Sequence, residues 1–154
     1  MGSLIAQQHQ QETGGTGPGH RSIQMSRSGT GTYVVTNARG GTMSIGSGES
    51  PDFTPVELLL TAIAGCSAVD VDFITSRLAE PTEFTVTAGG EKLRDEHGNH
   101  MGEIEVTFRV RFPDGDDGDS ARERLPRALA QSHDRLCTVS RSVQLGNPIH
   151  MRED

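Results

Sequence analysis

The sequence predicts an α+β domain in which an antiparallel β-sheet packs with two buried helices. Three observations predict it: short alternating segments separated by glycines come first, a long apolar segment with a helix-start signal follows, and the apolar period then returns to two. The chain has 154 residues, which suits one domain with one core. We therefore expect this domain over residues 23–154, after a tail over residues 1–22.

The N-terminal 22 residues have the composition of a flexible tail. Leu4 and Ile5 are the only Leu, Ile, Val or Phe among them, and glycines cluster over residues 14–19. Alternating segments punctuated by glycine then predict three short strands. These strands are expected at residues 21–27, 31–38 and 41–45.

A long central helix is predicted to begin at Pro55. The segment Thr54-Pro55-Val56-Glu57 has the Thr-x-x-Glu spacing of a capping box, with proline at the first helical position. Apolar residues lie on every face of this helix until Pro81 ends it. The strongly apolar run, residues 58–69, is too short to span a bilayer, so we expect a buried core helix. A helix of about 25 residues is about 37 Å long, so a partner subunit is expected to cover part of it.

The second half of the chain predicts a β-hairpin and a second helix. Phe84 and Val86 alternate with threonines, and residues 104–112 alternate between apolar and polar, which is typical of a half-buried antiparallel pair. Acidic residues over 114–119 then favour the start of a helix expected at 120–136, in which Pro126 marks a kink or the true start. A last strand is expected at residues 140–145.

Charge and cysteine content limit the function. The net charge of −7 and the absence of any basic run exclude a surface built for nucleic acid or anionic membranes. The N-terminus has no basic segment followed by an apolar one, so the expected location is the cytoplasm, where Cys66 and Cys137 are reduced. Two such cysteines suggest catalysis, redox sensing or packing.

The segments around these cysteines are distinctive. The first reads Pro-x-Glu-Leu-Leu-Leu and then Gly-Cys66-Ser-x-x-Asp, and the second reads Ser-His-Asp-Arg-Leu-Cys137-Thr-Val-Ser. They resemble the two cysteine motifs of the OsmC/Ohr (osmotically inducible / organic hydroperoxide resistance) superfamily, whose members are thiol-dependent hydroperoxide reductases. The resemblance covers residues 22–147, and the order of predicted elements agrees with it.

The resemblance implies an intertwined homodimer with its active sites at the subunit interface. It implies that Cys66 is the peroxidatic nucleophile and that Cys137 resolves the sulfenic acid formed on it. An arginine of the N-terminal hairpin stabilises the thiolate in this family; Arg27 is the best match, and Arg39 is the second. Two thiols suffice for this cycle without metal or organic cofactor, but an external dithiol reductant is required.

One departure from the family concerns a glutamate. In the organic hydroperoxide branch a glutamate ten residues before the nucleophile orients the arginine, but Val56 stands at that position here. Glu57 follows it, and nine residues at 100° each put Glu57 about 180° around the helix from Cys66. The capping box is therefore the stronger interpretation of Glu57, and its catalytic role requires that it point across a dimer interface.

Two further side chains near the cysteines have alternative interpretations. Asp70 follows Cys66 by four residues, and its charge raises the pKa of Cys66 unless the carboxylate is paired. We therefore expect an arginine or helix-end donors beside Asp70. His133 precedes Cys137 by four residues and either assists proton transfer or is a solvated cap. Together with the cysteines they also form a weak zinc set, since no short Cys-x-x-Cys pair is present.

The sequence thus favours a homodimeric thiol peroxidase of the oxidative stress response that acts on organic hydroperoxides, with hydrogen peroxide as a further candidate. The alternative is a stress-associated protein without enzymatic activity, which binds a hydrophobic ligand in the interface pocket and uses its cysteines as sensors or not at all. Val56 at the usual glutamate position favours this alternative.

Overall fold

The computed structural model describes residues 17–154. Of the tail predicted over residues 1–22, the first 16 residues lie outside the described part of the chain. The described residues divide into two compact units, the first ending at Leu58 and the second comprising Leu59–Asp154. The elements are β1 (Ile23–Gly29), β2 (Thr32–Asn37), β3 (Thr42–Ile45), α1 (Pro55–Thr75), β4 (Glu83–Asp95), β5 (Gly98–Arg111), α2 (Asp116–Gln131), a π turn (Ser132–Leu136) and α3 (Thr138–Leu145).

The first unit contains a three-stranded antiparallel sheet in the order β1-β2-β3. The three predicted strands are confirmed, each within two residues of the expected bounds. Gly31, in the turn between β1 and β2, has φ +72°, a left-handed conformation that favours glycine. Arg27 pairs with Tyr33 of β2, and the register shifts between Arg27 and Gly29.

Helix α1 begins at Pro55 through the predicted capping box, which is confirmed. The Thr54 N–H donates to Oε1 of Glu57 at 2.9 Å, and the Glu57 N–H donates to Oγ1 of Thr54 at 3.4 Å. The helix ends at Thr75, earlier than Pro81 required. The N–H groups of Leu78 and Ala79 both donate to the Thr75 carbonyl and close the chain into a turn there.

The expectation that α1 is a buried core helix is wrong for the single chain. Its only buried residues are Ile63, Val71 and Thr75, while Val69 and Phe73 are 53% and 61% exposed. With 21 residues and a mean hydropathy of 1.7, α1 is also the one helix of residues 17–154 that is long and apolar enough to cross a membrane. The sequence prediction counted only the apolar run before Asp70, although the helix continues beyond it.

In the second unit β4 and β5 form the predicted antiparallel hairpin. Phe84 pairs with Val110, so the alternating apolar residues of the two strands share one face. The hairpin closes at Asp95, whose Oδ1 accepts hydrogen bonds from the N–H groups of His97 at 2.8 Å and Gly98 at 3.1 Å. This side chain fixes the turn between the two strands.

The apolar face of the hairpin packs against α2. Val110, Phe112 and Ala121 are buried together, and Leu125 packs against them. The rings of Phe84 and Phe108 meet edge to face with centroids 6.2 Å apart. This small core holds α2 on the hairpin.

Helix α2 differs from its predicted bounds at both ends. It begins at Asp116 instead of residue 120, because the acidic residues that resembled a turn form its first turn, where the helix dipole favours them. Pro126 lies inside the helix and does not mark its start. The α-helical pattern ends at Gln131 and passes into the π turn.

The strand predicted over residues 140–145 is wrong, because this segment forms helix α3. Both ends of α3 are capped by local groups: Sγ of Cys137 accepts from the Ser140 N–H, and Gly146 ends the helix in a left-handed conformation.

Candidate active site

The two cysteines meet within the second unit of one chain. Cys66 lies on α1 and is partly buried, whereas Cys137 lies between the π turn and α3 and is 1% exposed. Their thiols are within hydrogen-bonding reach of each other, and both are free. Folding of a single chain therefore brings these sulfurs together.

The π turn determines where Cys137 lies. The Cys137 N–H donates to the Ser132 carbonyl at 2.9 Å, across five residues instead of the four of an α-helix. Cys137 then has an extended backbone, with φ −74° and ψ 99°, and serves as the N-cap of α3. The extra residue ends one helix and lets the cysteine start the next.

The backbone at the N-terminus of α3 hydrogen-bonds to both sulfurs. The Ser140 N–H donates to Sγ of Cys137 at 3.4 Å, and the backbone of Val139 hydrogen-bonds to Cys66. The Ser140 hydroxyl lies 3.2 Å from Sγ of Cys137. Free N–H groups at a helix N-terminus favour negative charge, so this arrangement suits a thiolate.

The two thiols differ in how easily they ionise. Burial raises the pKa of Cys66 above its ordinary 9.0, and the neighbouring Cys137 and the charge of Asp70 raise it further, which outweighs the Val139 hydrogen bond. Burial also acts to raise the pKa of Cys137, but hydrogen bonds from Ser140, Ser67 and Cys66 lower it below 9.0 overall. Within this chain Cys137 is the thiol whose anion is better stabilised.

Asp70 has a partner that the sequence did not predict. The Ser132 hydroxyl donates to Oδ2 of Asp70 at 2.9 Å, so the expected arginine or helix-end donor is replaced by a serine side chain. Ser132 is 1% exposed, and the hydrogen bond joins residues 62 positions apart. This contact ties α1, four residues beyond Cys66, to the π turn that presents Cys137.

Ser132 and Ser140 are the site residues that sequence reasoning missed. Cys137-Thr-Val-Ser140 has the spacing of an N-cap and its third helical residue, so a signal for Ser140 was present. No local pattern marks Ser132, because its partner is distant in sequence.

His133 and the zinc interpretation receive no support from the geometry. Nδ1 of the exposed His133 lies 3.0 Å from Oδ1 of Asp134. Within residues 17–154 no group of three or more His, Cys, Asp or Glu side chains is arranged to hold a metal ion. The zinc set considered above is thus not assembled in the described residues.

The predicted cation and glutamate belong to the first unit. Nη2 of Arg27 donates to Oγ1 of Thr30 at 3.1 Å, and the Arg39 N–H donates to Oδ1 of Asn37 at 3.0 Å. The hydrogen bonds from the backbone and side chain of Thr54 lower the pKa of Glu57 below its ordinary 4.5. The contacts between Glu57 and Thr54 are thus those of a helix cap, as the spacing of these residues indicated.

Two cavities of about 310 and about 360 Å³ adjoin the cysteine site. Both are bordered by Val106, His133 and Ser140, and the larger also by Ser67. The remaining walls are largely apolar and comprise Ile63, Ile104, Val143, Phe108 and Leu129. The serines that hydrogen-bond to Cys137 therefore also face space of a size that suits a small apolar molecule.

The α+β fold and the two adjacent free thiols place this chain in the class of two-cysteine thiol proteins. The chain belongs to the OsmC-like protein family, whose model matches residues 46–152. This match confirms the resemblance stated on the two cysteine motifs and the predicted fold class.

Relatives and solved structures agree with this assignment. An uncharacterized protein of Mycobacterium tuberculosis is 29% identical over 132 residues, which cover 84% of this chain and 93% of the relative. An OsmC-like protein of unknown function from Vibrio cholerae has a TM-score of 0.67 at 13% identity, covering 82% of this chain and 95% of that one. The organic hydroperoxide resistance protein OsmC of Legionella pneumophila has a TM-score of 0.55 at 14% identity, with coverage of 82% and 92%. At these identities the solved structures show the fold alone.

Proposed function

We propose that this protein is a thiol-dependent peroxidase that reduces organic hydroperoxides through a cycle of its two cysteines, with hydrogen peroxide as a further substrate. The observation that carries the proposal is the juxtaposition of the Cys66 and Cys137 thiols within one chain. The Legionella pneumophila protein of the same fold is described as an organic hydroperoxide resistance protein, which supports the substrate class.

In the proposed cycle the Cys66 thiolate attacks the outer oxygen of the hydroperoxide. The O–O bond breaks, the alcohol leaves after taking up a proton, and Cys66 becomes a sulfenic acid. The Cys137 thiol then attacks the Cys66 sulfur and releases water, so that a disulfide forms. A dithiol reductant restores both thiols and is itself oxidised to a disulfide.

Ionisation of Cys66 is the step for which the second unit alone is least suited. Burial, Cys137 and Asp70 all raise the Cys66 pKa, so a cation has to favour the thiolate. We assign this role to Arg27, with Arg39 as the second candidate, because the family takes this arginine from the N-terminal hairpin. A catalytic role of Glu57 stays a proposal that depends on a dimer interface.

We also propose that the protein is a cytoplasmic homodimer. Helix α1 exposes apolar side chains, among them Val69 and Phe73, that a single chain leaves in water. A second copy of the chain that packs along α1 would cover this surface. The apolar cavities beside Ser67 and Ser140 are suited to the organic part of a hydroperoxide.

The alternative function is a protein without enzymatic activity that binds a hydrophobic ligand in these cavities. Val56 at the usual glutamate position and the raised pKa of Cys66 favour it. Under this alternative the cysteines act as redox sensors or have no role.

Peroxide consumption with dithiothreitol as reductant distinguishes the two functions. We expect the wild type to consume cumene hydroperoxide over many cycles and Cys66→Ser to consume none. Cys137→Ser should react once with a stoichiometric amount of peroxide and hold a sulfenic acid that dimedone labels on Cys66. Equal and negligible rates for wild type and Cys66→Ser would instead support the binding protein.

A further inference from the structure

We propose that the reductant opens the Cys66–Cys137 disulfide by attacking Sγ of Cys66, and that Cys137 leaves as the thiolate, held by Ser140 and Ser67. This inference rests on the proposed two-cysteine cycle and specifies its last stage. A thiolate RS⁻ forms a bond to the Cys66 sulfur while the bond to Cys137 breaks, and the electron pair of that bond stays on Cys137. A second thiolate of the same dithiol then attacks the R sulfur and releases the Cys66 thiolate, so the dithiol supplies both electrons.

Access is the first reason for this direction of attack. Cys137 is 1% exposed and is enclosed by the π turn and α3, whereas Cys66 is only partly buried. Rates of thiol–disulfide exchange depend on which sulfur the incoming thiolate reaches. Within one chain an incoming thiolate therefore reaches the Cys66 sulfur more easily than the Cys137 sulfur.

The hydrogen bonds of the two sulfurs are the second reason. Sγ of Cys137 lies 3.4 Å from the donating N–H of Ser140 and 3.2 Å from its hydroxyl, and Ser67 adds a third contact. These donors stabilise negative charge on Cys137 as the S–S bond breaks. The lower its pKa, the faster a thiol leaves in such an exchange.

Cys66 is the poorer leaving group of the two. It has one backbone hydrogen bond, from Val139, and the negative charge of Asp70 acts against its ionisation. If the reductant attacked Cys137 first, charge would develop on this less stabilised sulfur. Access and charge stabilisation therefore favour the same order of steps.

A trapping experiment locates the sulfur that is attacked. The full chain is oxidised with diamide, so that the disulfide forms without peroxide, and is then exposed briefly to 2-mercaptoethanol. Acid quenching protonates the free thiols and stops further exchange, and peptic digestion with mass spectrometry locates the adduct. We expect the earliest adduct on Cys66, with Cys137 as the free thiol.

The outcomes separate this inference from the proposed function. An adduct on Cys137, alone or in equal amount, overturns the order of attack and leaves the two-cysteine cycle intact. If diamide produces no disulfide between Cys66 and Cys137, both the cycle and this inference are wrong.

Variants of Ser140 test the leaving group separately. Ser140→Ala removes the hydroxyl beside Cys137, and we expect dithiothreitol to reduce its disulfide roughly three- to tenfold more slowly. Ser140→Thr keeps a hydroxyl and should restore most of the rate. The control is Ser142→Ala on the same helix, whose hydroxyl donates to the Thr138 carbonyl at 2.7 Å, and this variant should be reduced at the wild-type rate. Equal rates for Ser140→Ala and Ser142→Ala would show that the hydroxyl does not assist departure of Cys137.

Discussion

At the scale of single residues, the contrast between Cys66 and Cys137 determines how this site can work. Both sulfurs are near the N-terminus of α3, but Cys137 receives several hydrogen bonds, while Cys66 has one and lies near the charge of Asp70. The chain thus stabilises the thiolate of the more deeply buried cysteine. A peroxidase that uses Cys66 as nucleophile needs a cation from outside this local arrangement.

Substitution of the two candidate arginines tests the source of that cation. Arg27→Ala should lower the rate of peroxide reduction about tenfold, because loss of a positive charge raises the Cys66 pKa and so lowers the thiolate fraction. The pH at which iodoacetamide alkylates half of Cys66 should rise accordingly in a Cys137→Ser background. Arg39→Ala is the matched control; a larger effect of Arg39→Ala than of Arg27→Ala would exchange their assignments.

Asp70 offers a test in the opposite direction. Asp70→Asn removes a negative charge that raises the Cys66 pKa, and its amide oxygen still accepts the hydrogen bond from Ser132. We expect alkylation of Cys66 at pH 7 to become roughly two- to threefold faster, because the thiolate fraction increases. Asp72→Asn, at an exposed position of α1, is the control. An unchanged or slower alkylation of Asp70→Asn would contradict the effect assigned to this charge.

At the scale of elements, three local devices position the cysteines. The capping box fixes where α1 begins, the π turn ends α2 and presents Cys137, and α3 provides backbone donors for both sulfurs. The Asp70–Ser132 hydrogen bond connects α1 with the π turn. Most of these devices depend on a few neighbouring residues, so single substitutions can remove them one at a time.

The capping box predicts a pH dependence of stability. Because the folded pKa of Glu57 is below 4.5, its stabilising contribution is complete above pH 4.5 and is lost as the pH falls through the folded pKa. Glu57→Gln, which resembles the protonated form, should therefore unfold at lower urea concentration than wild type at pH 7, and the difference should be smaller at pH 3. Thr54→Ala, which removes the other half of the box, should cost about 1 kcal/mol of unfolding free energy at pH 7. An equal deficit of Glu57→Gln at both pH values would contradict the role of the ionised carboxylate.

At the scale of the whole molecule, the notable feature is the apolar surface of helix α1, much of which stays exposed in a single chain. Val71 and Thr75 are buried completely, but Phe73 between them is 61% exposed. The proposed homodimer would cover this surface with a second copy of the chain, as we expected from the length of the apolar helix. The same assembly is what the family resemblance implies.

The oligomeric state is tested at this apolar surface. We expect light scattering to give a mass of about twice 16.5 kDa for the wild type. Phe73→Glu should shift the mass toward that of one chain, because a charge buried against a partner without a counter-ion is costly. Met151→Glu, at a position 94% exposed, should leave the mass unchanged. A wild-type mass of one chain would show that the homodimer proposal is wrong.

The local elements of this protein were largely determined by the sequence. Alternation and glycines located β1 to β5, and Thr54 with Glu57 located the start of α1, because periodicity and caps depend on residues close along the chain. Prediction failed at residues 140–145, where we expected a strand, because a cysteine N-cap and Gly146 define a helix there. It also failed for the start of α2, since acidic residues suit both a turn and a helix N-terminus.

Only the tertiary structure determines which charges and hydrogen-bond donors surround the two sulfurs. The motifs around Cys66 and Cys137 indicated a pair, but the Val139–Cys66 and Asp70–Ser132 contacts link segments more than 60 residues apart. The ionisation of a thiol depends on every charge and donor within a few ångströms, and these neighbours are assembled only when the chain folds. The sequence therefore determined the family and the candidate cysteines, and the fold determined which of the two thiols ionises more easily.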